Sequence, residues 1–465
     1  MVFIIIAIWT KLIQQVLYDL YEWQLREYRL DRFLEMVGRA YDNFFSALFS
    51  LTIFSPFSLT LLPKITVKST LVFFITLGII VFGQDRFGAF FLILSLFATP
   101  ILIFITILIL SLPEWLMRQI VYFLASEKIT RFQQKYGLKT IGIAGSYGKS
   151  TTKYFLHHLL SSSFAVITTP NSVNTPLGIS RIILTKLTPQ HQFFIVEMGA
   201  YKRGEIKEMC RLVQPETGII TNLASQHLAL FGSMKNLITA KSELIQCLPK
   251  EGMVLINSGS IYQPVFDRKR IKKVVYFGEG KIQAKLLKTA PIVDFLKPNL
   301  EAALYLANHF NISEQNLSEQ LKTLPLPPHT MTKTRGFQGS LIIDDTFNAN
   351  PDGVLAALEY IDSLLYKKRL VIMRCMIELG AGGKEAHRQI GRKIKEVGAF
   401  AIITTPYFFS DVRKGVGDYN QIELVRKTED IINRLELMVD KKTVVLLENK
   451  MSPKIIEFLT EKKYV

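Results

Sequence analysis

The pattern of apolar and polar positions divides the chain into two unlike parts. Through the first 112 residues apolar positions run together with few charges; beyond residue 138 short apolar runs alternate with polar, helix-periodic segments. No charge occurs between Arg86 and Glu114, and the run Phe87–Leu112 exceeds the ~20 residues that cross a bilayer core. Asn43–Pro63 is a second uncharged stretch of spanning length, in which Pro56 predicts a kink. Ser69–Gln84 is shorter and spans only with tilt adjustment or local bilayer thinning. Met1–Tyr18 is apolar apart from Lys11, has no small-residue cleavage site after it, and is expected to be retained as an anchor. Residues 20–42 set aromatic and aliphatic side chains beside Arg26, Arg29, Arg32 and Arg39 at helical spacing, so they read either as an extracytoplasmic loop or as an amphipathic helix along the cytoplasmic interface.

The mixed stretch that follows has Trp115 and Tyr122 as interfacial aromatics and Arg118, Lys128, Arg131 and Lys135 as a basic flank. The expected organisation is therefore transmembrane helices over 1–112, a basic linker over 113–137, a central α/β domain over 138–325 and a C-terminal α/β domain over 326–465. Pro325-Leu-Pro-Pro328 marks the hinge between the last two. These boundaries predict a multi-pass protein of the plasma membrane with its α/β domains in the cytoplasm.

Composition agrees with this division. The chain is 49% hydrophobic, and Lys+Arg 56 against Asp+Glu 39 give a net charge of +17. That balance suits a membrane surface or a polyanionic small molecule; no aromatic-interleaved basic motif suggests a nucleic-acid partner. Cys210, Cys247 and Cys375 stand far apart with no CxxC, which predicts neither a disulfide framework nor a thiolate zinc site, and a reducing compartment is the simplest reading.

The chemistry-bearing residues begin after the apolar strand Lys139–Ala144. Gly145, Ser146, Gly148, Lys149, Ser150 and Thr151 form a glycine loop that opens a helix, the context in which backbone N–H groups and a helix N-terminus face phosphates. Lys149 is placed to reach the β- and γ-phosphates and the Ser150 hydroxyl to hold Mg²⁺. The strict GxxxxGK[ST] spacing is not met, because Ile143 occupies the first position. Glu197 ends a second apolar strand and His227 follows a third, and carboxyl ends of parallel strands line ligand crevices. Taken singly, Glu197 also reads as a capping or solvated residue and His227 as a structural one.

Together these segments resemble the Mur ligase family, most closely the branch that joins D-alanyl-D-alanine to a UDP-muramoyl tripeptide. The matching stretches are GSYGKSTTK (145–153), TTPNSVNTPLGIS (168–180), VEMGAYKRGEIKEM (196–209), the segment 216–245 with ITAKSEL, KPNLEAALYLA (297–307) and LIIDDTFNANPDGVLAAL (341–358). The resemblance implies an α/β architecture in which a P-loop-type central domain precedes a Rossmann-like C-terminal domain, both after the N-terminal transmembrane helices. It implies an ATP-dependent amide ligase that phosphorylates a muramoyl-peptide carboxylate and joins it to an amino acid or dipeptide amine. By the same resemblance Ser150 and Glu197 hold one Mg²⁺, His227 and a carbamylated Lys241 support a second, Thr169, Asn171 and Asn174 lie near the muramoyl substrate, and Asp345, Asn348 and Asn350 meet the nucleoside.

Departures concern the substrate. Nothing in residues 1–137 resembles the family's UDP-binding domain, which leaves a lipid-linked acceptor as open as a UDP-linked one. Cys375 replaces the acidic residue usual before ELG, and VVLLENKMSP (444–453) replaces a glycine- and serine-containing turn. Two other classes fit parts of the pattern: a membrane transport or signalling ATPase, disfavoured by uncharged membrane stretches, and an inactive scaffold, disfavoured by the retained Lys149, Ser150, Glu197, His227 and Lys241.

Overall fold

A computed structural model describes residues 2–25, 65–170, 173–224, 231, 233–260, 263–347, 349–376, 379 and 382–460. The expected span 43–63 and most of the interfacial segment 20–42 lie outside the described residues. The chain forms two compact units, Met1–Ile120 and Val121–Val465.

In the first unit the apolar runs are helical: α1 (Val2–Leu25), α2 (Val67–Phe87) and the opening stretch of α3 (Ala89–Tyr136). Thr66 and Ser69 cap α2 reciprocally, satisfying N–H groups that the first turn leaves open, and Gly88 ends it at φ 68. Two small clusters hold these helices together, Val16, Leu20, Val72, Ile103 and Ile107 in one and Leu12, Ile80 and Leu92 in the other. The stretch expected as a basic linker, 113–137, is helical to Tyr136, within α3. Its apolar positions Ala125, Ile129 and Phe132 recur at helical spacing and are buried in the second unit, so the run that looked mixed is amphipathic.

The second unit contains two six-stranded sheets. The first has the order β2-β3-β1-β4-β5-β6 and is parallel throughout, from β1 (Lys139–Ala144), β2 (Val166–Thr168), β3 (Phe193–Glu197), β4 (Thr217–Ile220), β5 (Met253–Asn257) and β6 (Lys273–Phe277). Around it lie α4 (Lys149–Leu160), α5 (Pro176–Thr185), α6 (Glu205–Val213), α7 (Met234–Cys247), α8 (Ala284–Thr289), α9 (Lys297–His309) and α10 (Glu314–Lys322). The β1 and β3 strands are buried along nearly their whole length, which is why they read as continuous apolar runs. Glycine on two adjacent strands lets α7 come close: a Cβ at Gly142 would stand 2.9 Å from Leu244 Cδ1, and one at Gly218 would stand 3.3 Å from Leu244 Cγ.

The second sheet has the order β11-β10-β9-β12-β8-β7, from β7 (Thr332–Arg335), β8 (Leu341–Asp345), β9 (Lys368–Met373), β10 (Phe400–Ile403), β11 (Ile422–Leu424) and β12 (Thr443–Glu448). Only the edge strand β7 is antiparallel. Helices α11 (Pro351–Ser363), α12 (Gly383–Glu396), α13 (Phe409–Val416), α14 (Thr428–Met438) and α15 (Pro453–Thr460) complete it. Parallel pairing brings the carboxyl ends of β8 and β12 side by side, with Asp345 in register with Glu448.

Candidate active site

The loop from Gly145 to Ser150 is shaped by its glycines. Gly148 has φ 84 as the residue before α4, a conformation L side chains avoid, and a Cβ there would meet the Asn299 amide at 2.4 Å. Asn299 Nδ2 donates to Gly148 O at 2.8 Å and to Thr152 Oγ1 at 3.1 Å, so α9 fixes the loop from the side. Ser146 donates to Ala224 O at 3.0 Å and accepts from Ala224 N at 3.1 Å. Its hydroxyl thus ties the loop to the segment that follows β4, and Ser146 is not among the residues that line the cavity. Lys149 folds over the loop, donating to Gly145 O at 3.0 Å and Ser146 O at 2.9 Å. Burial lowers its pKa, against the pull of Glu197. Thr151 lies in the first turn of α4 and lines the cavity.

Glu197, at the carboxyl end of β3, is the hub. Ser150 Oγ donates to its Oε2 at 2.7 Å, Lys153 Nζ to the same oxygen at 3.1 Å, and Asn174 Nδ2 to Oε1 at 3.3 Å. Thr169 Oγ1 accepts from the Glu197 N–H at 3.3 Å, and the carbonyl of Thr169 accepts from Lys153 at 2.8 Å. Lys153 was not anticipated from the sequence; its signal is its position one helical turn beyond Lys149 on the same face of α4. The hydroxyl of Ser150 and the carboxylate of Glu197 are hard oxygen donors beside a phosphate loop. This set fits Mg²⁺, which keeps waters and substrate phosphates as its other ligands.

Lys241 projects from α7, where its Nζ donates to Ala200 O at 3.0 Å and lies 5.5 Å from the centre of the Phe231 ring. Burial, reinforced by the charge of Lys149, lowers its pKa to about 7. Glu243, two residues on, accepts from Gly204 N at 2.6 Å and Lys207 N at 3.0 Å and so caps α6.

Across the cavity stand residues of the C-terminal domain. Asp345 accepts from Met331 N at 3.2 Å, and burial lifts its carboxyl to about 7, with the neighbouring Asp344 adding to the rise. Glu448 is fully buried and, among the described residues, neither of its carboxyl oxygens has a hydrogen-bond partner; burial first, and Asp345 second, push it well above the carboxylate range. Asn350 caps α11, accepting from Gly353 N at 3.0 Å, so its oxygen is engaged with the helix while the residue still lines the cavity. Tyr147 of the phosphate loop donates to Asp352 Oδ2 at 3.0 Å and links the two domains directly. Burial and Asp352 raise the Tyr147 phenol beyond its ordinary range.

One cavity of about 410 Å³ joins these groups, lined among others by Lys149, Ser150, Glu197, Asp345, Phe347 and Lys450. The structure therefore brings the loop, Glu197, Asn174, Asp345 and Asn350 together. Lys241 is outside that lining, and His227, Asn171 and Asn348 lie outside the described residues. His387 is structural: its ring accepts from Met376 N at 3.1 Å, pairs with Gly383 O at 2.6 Å and stacks on Phe408.

A glycine loop at a helix N-terminus, set beside a strand-end carboxylate and faced by a second α/β domain, is an arrangement suited to a nucleoside triphosphate. Residues 143–300 match the Mur ligase middle domain, and residues 331–449 match the Mur ligase glutamate ligase domain. Over 306 residues the chain is 28% identical to the UDP-N-acetylmuramoyl-tripeptide–D-alanyl-D-alanine ligase of a Synechocystis species, spanning 61% of this chain and 67% of that one. It is 24% identical over 342 residues to the ligase of the same name from Escherichia coli, spanning 68% and 74% of the two chains. The crystal structure of MurF from Acinetobacter baumannii superposes with a TM-score of 0.62 at 23% identity, over 74% of this chain and 81% of that one. MurF from Thermotoga maritima in complex with ADP gives a TM-score of 0.59 at 22% identity, over 74% and 83%. The chain belongs to the Mur ligase family of ATP-dependent ligases.

Proposed function

We propose that this protein is a membrane-anchored, MurF-like peptide ligase of cell-wall precursor synthesis. It moves the γ-phosphoryl group of ATP to the terminal carboxylate of a muramoyl-peptide-like substrate, giving an acyl phosphate and ADP. An incoming amine, with D-alanyl-D-alanine as the leading candidate, then attacks the acyl carbon and expels phosphate, leaving an amide. The observation that carries this reading is the cluster of Ser150, Lys153 and Asn174 on Glu197, set beside Lys149 and facing Asp345 across one cavity.

The chemical need is to bring two anions, carboxylate and triphosphate, into contact. Lys149 releases the loop carbonyls and turns to the phosphates, while the N–H groups at the start of α4 supply further positive potential. Ser150 and Glu197 hold Mg²⁺, which supplies charge neutralisation on the phosphates when bound. Asn174 keeps Glu197 oriented and presents its amide towards the acceptor side. Lys241, with a pKa near 7, is substantially neutral at physiological pH, and the neutral amine is the form that adds CO₂. Its carbamate would carry negative charge to a second metal position. Lys241→Ala is expected to lose turnover and to regain part of it with short-chain carboxylates; full activity without rescue removes the carbamate.

Membrane anchoring is supported by α2 and by Ile101–Tyr136 within α3, both long and apolar enough to cross a bilayer. Phe74, Phe82, Phe90 and Ile109 of the first unit are each more than 60% exposed to solvent, which suits lipid contact. A lipid-linked acceptor is the corresponding alternative to a UDP-linked one. The test is to incubate the full chain with ATP, Mg²⁺, D-alanyl-D-alanine and either a UDP- or a lipid-linked muramoyl tripeptide, and to follow product mass. ATP hydrolysis that needs neither carboxylate nor amine would overturn the ligase reading.

A further inference from the structure

Two cysteines that are far apart in sequence line one surface pocket, none of whose residues lines the cavity beside Lys149. Cys210 lies in α6 and Cys247 is the last residue of α7; both line the same pocket, and each thiol acts on the other's pKa. Cys210 is buried, with its Sγ 3.9 Å from Met198 Sδ; Cys247 is partly exposed. Both line a surface pocket of about 480 Å³ that also receives Lys207, Arg211 and Arg270 against one carboxyl, Glu216.

We propose that Cys210 and Cys247 form a redox-active dithiol, and that this basic pocket takes anionic low-molecular-weight disulfides, of which glutathione disulfide is the type. The partners have distinct roles. The neighbouring Cys210 thiol, with Lys207 and Arg270, lowers the Cys247 pKa against burial and Glu243, whereas Cys247 and burial raise that of Cys210. Because Cys247 is the partly exposed partner and Cys210 the buried one, Cys247 is the attacking thiolate and Cys210 the resolving thiol. In the first step the Cys247 sulfur bonds to one sulfur of the small disulfide and the other leaves as a thiolate. In the second, Cys210 gives its proton to solvent and attacks the Cys247 sulfur, forming the Cys210–Cys247 bond and releasing the second small thiolate. The protein dithiol loses two electrons and the small disulfide gains them, so the exchange balances without a further oxidant.

The bond would staple α6 to α7, the helix that carries Lys241 and whose Glu243 holds the first turn of α6. The site thus lies on the helix pair behind the proposed carbamate lysine, and the chemistry of the dithiol itself is independent of the ligase assignment. Cys375 provides an internal control: burial pushes its thiol up to about 12, and it is remote in sequence and in fold from the pair.

The experiment treats the full chain with glutathione disulfide, alkylates the remaining thiols under denaturing conditions and maps the peptides by mass. The expected result is loss of two alkylatable thiols, a single intramolecular link between the peptides bearing Cys210 and Cys247, an unreacted Cys375 and full reversal by dithiothreitol. Cys210→Ser should stop at a mixed disulfide on Cys247. The neutral bis(2-hydroxyethyl) disulfide should react several-fold more slowly than glutathione disulfide relative to its rate with free cysteine. Three free thiols after treatment, a link that includes Cys375, a link between chains, or a wild-type mixed disulfide that never resolves would each overturn the proposal. Because the wild-type peptide map decides alone, the result does not depend on whether the serine variant folds.

Discussion

The two sheets of the catalytic unit present acids to the same cavity in opposite ways. At the end of β3, Glu197 is met by Lys153, Ser150 and Asn174, so a buried carboxylate is paid for by a cation and two neutral donors. At the ends of β8 and β12, Asp345 and Glu448 stand in register with no basic side chain bonded to either among the described residues, and burial drives both towards the protonated form. Similar topology therefore yields one acid held among a cation and two neutral donors, and one pair that burial pushes towards the neutral form. Strand order places the acids; their neighbours decide what charge they carry.

The largest expected break of this contrast is Lys149→Ala. It removes the cation that must meet the phosphates, and kcat/KM for amide formation should fall by about 10³. An effect under tenfold would move phosphate binding elsewhere. Lys153→Met makes the first sheet resemble the second by leaving Glu197 without its cation. Both side chains are buried, at 7% and 3% exposure, so the loss should be about 3 kcal/mol of unfolding free energy. Chemical denaturation measures it, and a change below about 1 kcal/mol would mean that hydroxyl and amide donors suffice.

The smallest effect tests the second sheet. Asp345 has an ordinary pKa of 3.8 and a folded value of about 7, so the folded state binds its proton more tightly. Its stabilising contribution is complete below 3.8 and is lost as pH rises to about 7, a fall on the order of 4 kcal/mol at most. Glu448→Gln removes one acid and gives the other an amide donor. It should raise stability at pH 8 by about 1–2 kcal/mol and leave pH 4 nearly unchanged. Equal effects at both pH values would show that the acids do not interact.

Much of this arrangement is legible in the sequence because the buried parallel strands are continuous apolar runs and the loop residues are contiguous. Lys139–Ala144, Phe193–Glu197 and Leu341–Asp345 are recognisable on that ground, and so are Lys149, Ser150 and Glu197. The edge strands β7 and β11 are not, because TKTR and IEL lack an apolar run; β7 shows only alternating burial. The 113–137 stretch reads as a linker because its charges mask the helical spacing of Ala125, Ile129 and Phe132. Glu448 looks like the polar end of an apolar strand, and only the register of β12 on β8 sets it against Asp345. The meeting of Cys210 with Cys247 depends likewise on two helices packing across the fold, which no local spacing encodes.

The account rests on transfer of a phosphoryl group to the acceptor carboxylate. The most direct measurement uses a muramoyl tripeptide whose terminal carboxylate carries oxygen-18 at both oxygens, with ATP, Mg²⁺ and D-alanyl-D-alanine, and reads the mass of the released phosphate. An acyl phosphate requires one labelled oxygen to appear in phosphate for each amide formed. Amide formation accompanied by unlabelled phosphate would contradict it.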